Sequence, residues 1–172
     1  MPLFGGTKRP KLDGLTKEEE RLRDALNPEV LRRSGEKGVA GQMPAAAAIL
    51  REKMEGEPEV FLWPYLLGWQ MLSMRHWDQA IDAFREATAR DPKEIRGFYG
   101  AGNAFFEAAQ TKQENPHAAG LPEELTVDNL FHESLRNFRQ AMELAEERGD
   151  RDQLRDAISI VDKALAKKAG RL

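Results

Sequence analysis

The residues best suited to proton transfer or metal ligation are three histidines, His76, His117 and His132. They are scattered along the chain. The run His132-Glu133-Ser134 lacks the second histidine, four residues after the first, that would put two imidazoles on one helix face for zinc. There is no cysteine, which removes thiol nucleophiles, disulfides and thiolate-bound metals. Gly5-Gly6 has neither the preceding strand nor the further glycines of a phosphate-cradling loop. The acidic runs at 18–20 and 146–147 read as solvated helix faces. Trp63, Trp69 and Trp77 could form an aromatic cage, but Trp63 and Trp77 fit packing positions better, leaving Trp69 as the ligand-facing candidate. No nucleophile is paired with a base. The expectation is a protein that is not an enzyme, with no catalytic residue, metal or cofactor.

The bulk properties point the same way. A 172-residue chain that is 41% hydrophobic and 32% charged can bury a sizeable core. Its net charge of -3 gives no case for nucleic acid as a partner. The start, MPLFGGTKRPKL, has no apolar run of signal-peptide length, and Pro2 breaks the myristoylation pattern. No stretch approaches the roughly 20 apolar residues of a membrane span. A cytoplasmic protein is expected.

The chain divides into elements that would have to position any site. Residues 1–15, with Gly5, Gly6, Pro10 and Gly14, read as a flexible N-terminal arm; residues 16–172 read as one helical domain. Thr16 and Glu19 have capping-box spacing for a short helix. Asn27-Pro28 opens a second that runs to about Arg33, and Gly35, Gly38 and Gly41 interrupt the pattern. Helices are predicted over 44–55, 60–74, 77–90, 93–112 and 124–147. Gly149 ends the last of these, and Asp150 with Gln153 would cap a final helix over 150–168. That helix places Leu154, Ile158, Val161 and Leu165 on one stripe. No segment alternates apolar and polar residues as a strand would, so the fold class is all-α.

A period runs through this pattern. Gly68 and Gly102 stand 34 residues apart, each mid-helix, where glycine costs about 1 kcal/mol relative to alanine. A shared reason would be the close approach of a neighbouring helix. Stepping back 34 from Ala80, Phe84 and Pro92 gives Ala46, Leu50 and Pro58. Stepping forward 54 from Ala80, Phe84 and Ala87 gives Ser134, Phe138 and Ala141, which implies a 20-residue insertion in the second full unit.

These residues resemble the tetratricopeptide repeat (TPR) family, in which a helix pair recurs every 34 residues. Leu67-Gly68, Ala80, Phe84, Ala87 and Pro92 match its pattern in one unit; Phe98, Ala101-Gly102, Phe105, Phe138 and Ala141 match it in the next. The second unit departs in lacking the terminal proline, where Glu146 stands. The resemblance implies a TPR-like α-solenoid of stacked antiparallel helix pairs: N-terminal helices and a degenerate repeat over 16–58, repeats over 59–92 and 93–148 with an insertion at 110–127, and a capping helix. Gly68, Ala80, Gly102 and Ser134 would mark the close crossings.

In that family the first helices of each pair line a concave groove. The resemblance places Leu62, Tyr65, Trp69 and Leu72 there from one helix, and Arg96, Tyr99, Asn103 and Phe106 from the next, while Leu67, Met71, Ala101 and Phe105 face the core. The family's two-carboxylate clamp fits poorly, because Tyr65 and Tyr99 stand where it needs lysine. The function implied is a non-catalytic adaptor or assembly factor that holds a peptide or helix of a partner protein. The alternatives are a permanent structural subunit of a larger complex, a homo-oligomer included, anchored by its arm and insertion, and a secretion-type TPR chaperone. Leu3, Phe4, Lys8, Arg9 and Lys11 are the arm's candidate contacts. The competing expectation is that residues 1–40 or the insertion fill the groove from within. Deleting residues 1–15 and measuring apolar-dye binding distinguishes the two: new dye binding marks the arm as a cover.

Overall fold

The computed structural model describes residues 11–35 and 38–170. The described residues form eight helices and no strands: α1 Lys17–Asp24, α2 Asn27–Ser34, α3 Gly38–Gly56, α4 Leu62–Ser73, α5 Trp77–Arg90, α6 Ile95–Glu114, α7 Val127–Leu144 and α8 Arg148–Lys168.

Local chemistry explains most of the boundaries. The Glu19 N–H donates to Thr16 Oγ1 (3.1 Å) and the Thr16 N–H donates to Glu19 Oε2 (2.7 Å), closing the expected capping box of α1. Thr126 and Asn129 form a second box that opens α7. Pro64 lies in the first turn of α4, where its missing N–H is one of the helix's orphans anyway. Most boundaries lie within three residues of the expected ones, and at two helix starts the local signals are overridden. Helix α3 begins at Gly38 and runs straight through Gly41 and Pro44, its Ala45, Ala47, Ile49 and Leu50 buried; packing overrides the glycine and proline signals. Helix α8 starts at Arg148, ahead of the Asp150–Gln153 pair, with Gly149 in its first turn rather than closing α7.

Helices α2–α3, α4–α5 and α6–α7 form antiparallel pairs that stack in chain order, and α8 closes the stack on α7. The N-terminal part thus contributes a whole pair where the sequence showed only a half-unit. Ser34, buried, stands one period before Gly68, and Leu50 one period before Phe84.

The repeating glycines are explained by two phenyl rings. A Cβ on Gly68 would lie 2.7 Å from Phe84 Cε1, and one on Gly100 would lie 2.3 Å from the same atom. Phe84 of α5 is therefore seated between α4 and α6, fully buried. Phe138 of α7 does the same against Gly102, where a Cβ would meet it at 2.6 Å. Ser134 Oγ donates to the Gly102 carbonyl (2.8 Å), which satisfies a hydroxyl at the position alanine holds in the previous pair. Arg90, at the end of α5, reaches back to α3 and donates to the carbonyls of Met54, Glu57 and Val60 (each 3.1 Å), capping the C-terminal end of that helix.

The insertion lengthens the second full pair rather than crossing the fold. Helix α6 outruns α4 by about two turns, α7 starts early, and the loop 115–126 joins them. That loop folds back on the α4–α5 turn. The Gly120 carbonyl accepts from Asp78 N–H (2.9 Å), supplying the cap that His76, the N-terminal flanking residue of α5, does not give with its side chain. Gly120 has φ +78° and its Cα faces the Arg75 carbonyl so closely that a Cβ would sit 2.7 Å from that oxygen. No helix of the described residues is long and apolar enough to cross a membrane.

Gly100→Ala is expected to destabilise the fold: crowding a packed core costs about 1–3 kcal/mol, against a helix-propensity gain of about 1 kcal/mol. Gly149→Ala, whose Cβ would meet nothing within 4 Å, should be neutral or stabilising. Urea denaturation of the two variants checks the difference. Gly120→Ala should cost about 1–2 kcal/mol from the left-handed backbone alone, with faster amide exchange at Asp78.

Candidate functional site

The first turn of α6 carries Arg96, the most heavily coordinated side chain described. It is 4% exposed. Glu94, the residue just before the helix, accepts from its Nε (3.0 Å) and Nη2 (2.8 Å), which fixes one edge of the guanidinium. Glu19 accepts from Nη1 (2.7 Å) and Nη2 (2.9 Å) in a bidentate pair across 77 residues of chain. The Gly14 carbonyl takes a further bond from Nη1 (3.2 Å). The plane of the group lies near the rings of Phe61 (5.4 Å) and Tyr65 (5.3 Å), a cation–π arrangement on both.

The same place receives the N-terminal segment. Leu12 is 1% exposed, inside the hydrophobic core. The Tyr65 hydroxyl donates to the carbonyls of Leu12 (3.5 Å) and Gly14 (3.3 Å). Burial pushes the Tyr65 phenol's pKa up. Burial also opposes the charge of Glu19, but the hydrogen bonds from Arg96 and from the Thr16 backbone outweigh it and leave this carboxyl below its ordinary value. Burial opposes the charge of Arg96 too; the hydrogen bonds to Glu19 and Glu94 outweigh it and raise the guanidinium's pKa.

The eight residues expected to line an open groove separate into two sets. Leu62, Tyr65, Leu72 and Arg96 are buried, and so cannot line one as the chain stands. For Tyr65 and Arg96 the cover is residues 11–19 of the same chain, as the competing expectation had it. Trp69, Tyr99, Asn103 and Phe106 keep part of their surface. The three aromatic ones also do packing work. Trp69 meets the Phe84 ring edge-on (5.3 Å), Tyr99 lies 5.8 Å from Phe138, and Phe106 lies 5.9 Å from Phe131. Asn103 Nδ2 donates to the Tyr99 carbonyl of its own helix (2.8 Å), and the Tyr99 hydroxyl accepts from Gln153 of α8 (2.9 Å). Among the arm contacts, Leu3, Phe4, Lys8 and Arg9 lie outside the described residues, and Lys11 is exposed. Residues 11–15, assigned to the arm, instead hold the buried Leu12.

His76 lies at the α4–α5 junction, His117 in the loop and His132 on the exposed face of α7. Among the described residues no group of three or more His, Asp or Glu could hold a metal. The sequence reading did not identify Leu12, Gly14 or Glu19 as site residues. Glu19 was visible as a capping residue, yet nothing in its local pattern signals a partner on α6.

Solved structures give the match. A mutant O-GlcNAc transferase from Thermobaculum terrenum superposes with a TM-score of 0.52 at 18% identity, over 86% of this chain. The fold is a TPR-like solenoid. This chain spans 23% of that transferase chain, so the likeness covers a minor part of the longer protein. No family model and no curated protein matches the sequence. In the terms of this solenoid, α2, α4 and α6 are first helices of their pairs, and Arg96 and Tyr65 occupy the face where α4 and α6 lie side by side.

Because the folded-state pKa of Glu19 is depressed, its contribution is present above the ordinary carboxylate range, about 4.3, and lost as pH falls through the folded value. Protection of the amides of residues 11–24 against exchange should therefore fall as pH drops below the ordinary carboxylate range. Glu19→Gln leaves a buried guanidinium edge without its charge partner, a change worth about 3 kcal/mol. That variant should show fast exchange already at pH 7 and a flatter response to acid.

Proposed function

We propose that the protein acts by binding rather than by catalysis, as an adaptor or assembly factor that holds a peptide or helix of a partner protein on the face formed by α4 and α6. The observation that carries this reading is that the face already holds a non-helical stretch of polypeptide, residues 11–16, by backbone carbonyls and a buried leucine, with the Glu19 carboxylate of the following helix paired to Arg96. A surface that binds its own chain in this way has the donors and apolar contacts for another. Farther along the same helices, Trp69, Tyr99, Asn103 and Phe106 keep accessible surface of the aromatic and polar kind that anchors interfaces. The transferase likeness supports the fold without carrying an activity.

A second reading, a permanent subunit of a larger complex, is favoured by apolar side chains left open on α1–α3: Leu22 is 41% exposed, Leu31 59% and Met43 38%. Affinity capture of the whole chain followed by native mass spectrometry separates the two. Exchangeable binding of a partner's peptide supports the adaptor; a stoichiometric complex that survives dilution supports the subunit. Asn103→Glu, which adds a charge on the open part of the face, should weaken partner binding at least tenfold with circular dichroism unchanged. Turnover of a substrate by the purified chain would overturn both readings.

A further inference from the structure

The N-terminal segment is attached to the repeats in an unusual way. Helix α1 buries none of its residues. Its Leu22 is 41% exposed, and its Arg23 lines a cleft of about 290 Å³ together with Leu26, Val30, Met43, Leu66 and Gln70. Its other charged contacts are within itself: Arg21 with Glu18, and Arg23 with Asp24. Among the described residues, Glu19 is the one side chain of α1 with a hydrogen bond or ion pair to another helix. Residues 11–24 are therefore held by the Leu12 side chain, by Leu15 packed against the core, by the Leu12 and Gly14 carbonyls, and by the Glu19 carboxylate.

The receiving side also has partners of its own. Glu94 clamps one edge of the Arg96 guanidinium from the same helix terminus, and the rings of Phe61 and Tyr65 flank it. With Glu19 gone, the guanidinium would remain in place with two N–H donors directed at an empty position. A fixed guanidinium edge in that setting selects a planar carboxylate. The Tyr65 hydroxyl beside it selects a peptide carbonyl, and the position of Leu12 selects an aliphatic side chain.

We infer that Arg96, Tyr65 and the apolar recess under Leu12 form a receptor for an acidic peptide segment of a partner protein, one that carries an aliphatic side chain ahead of its carboxylate, and that residues 11–19 are a resident stand-in for that ligand. The inference rests on the adaptor reading and specifies its ligand. The resident segment competes at the high effective concentration of a tethered ligand, about millimolar, so the partner displaces it only by binding more tightly or by first weakening the Glu19 contact.

The test uses the full chain and a fluorescein-labelled peptide of its own residues 11–24, read by fluorescence anisotropy. Glu19→Gln in the chain should raise affinity for the labelled peptide at least tenfold over the unaltered chain, because the resident segment no longer competes well. The same peptide with glutamine in place of its Glu19 should bind the Glu19→Gln chain at least tenfold more weakly, and Arg96→Lys combined with Glu19→Gln should abolish the gain. If Glu19→Gln does not fold, Leu12→Ala serves as the weakened chain with the same expectations. Equal binding of the peptide by altered and unaltered chains, or equal binding of the glutamate and glutamine peptides, overturns the inference. Were either result found while partner binding still fell with Asn103→Glu, the adaptor reading would stand without this site.

Discussion

The stack depends on one steric fit, the Phe84 ring held between Gly68 of α4 and Gly100 of α6. A ring that touches two backbones at once fixes how closely three helices approach. Any side chain at either glycine would push them apart. The Gly68 side of this fit recurs one pair later with Phe138 against Gly102, so the geometry of the crossing within a pair repeats along the solenoid. Tyr65 and Trp69 then lie edge-on to Phe84, and Tyr99 lies beside Phe138. The aromatic stripe of the first helices is thus partly a lid on these crossings, which is why residues expected to face a ligand are half or wholly buried.

Because α4 and α6 are brought side by side by that ring, their first turns meet, and Arg96 comes to rest over Tyr65 and Phe61. A buried guanidinium needs carboxylates. One is local, Glu94, and could have come from any helix start. The other comes from Glu19, whose own helix is barely packed. An ion pair of this kind contributes little net stability when compared with apolar packing, yet breaking it is costly. It specifies where residues 11–24 sit more than how firmly the repeats hold together. That combination, a defined position with few contacts behind it, is what makes the segment a candidate for exchange with a partner.

The insertion shows a different solution to extra chain. Rather than entering the face of α4 and α6, it extends α6 and α7 and uses its loop to finish the start of α5 through Gly120 and Asp78. The added length is absorbed at the edge of the stack, and the segment before α1, not the insertion, is the one that covers the candidate site.

Much of the fold was legible from sequence, because a 34-residue period of small and aromatic residues can arise only where helix pairs meet repeatedly at the same points. Gly68, Gly102, Phe84, Phe138 and Ser134 declared the crossings, and Leu154 with Val161 declared the buried stripe of the closing helix. The first pair was harder to see: Ser34 replaces its glycine, and Pro44 sits inside a helix that packing sustains. The site was legible only in part. Trp69, Tyr99, Asn103 and Phe106 follow from helical geometry, but whether a face is open depends on what else the chain lays across it. Glu19 is a capping residue by spacing and a ligand of Arg96 by position, and only the second role reaches across 77 residues. Periodicity is a local property and fixes the elements and their contact faces. Long-range charge pairing is decided by where those faces come to lie, and so the tertiary structure alone could show that this protein's candidate binding site holds a piece of its own chain.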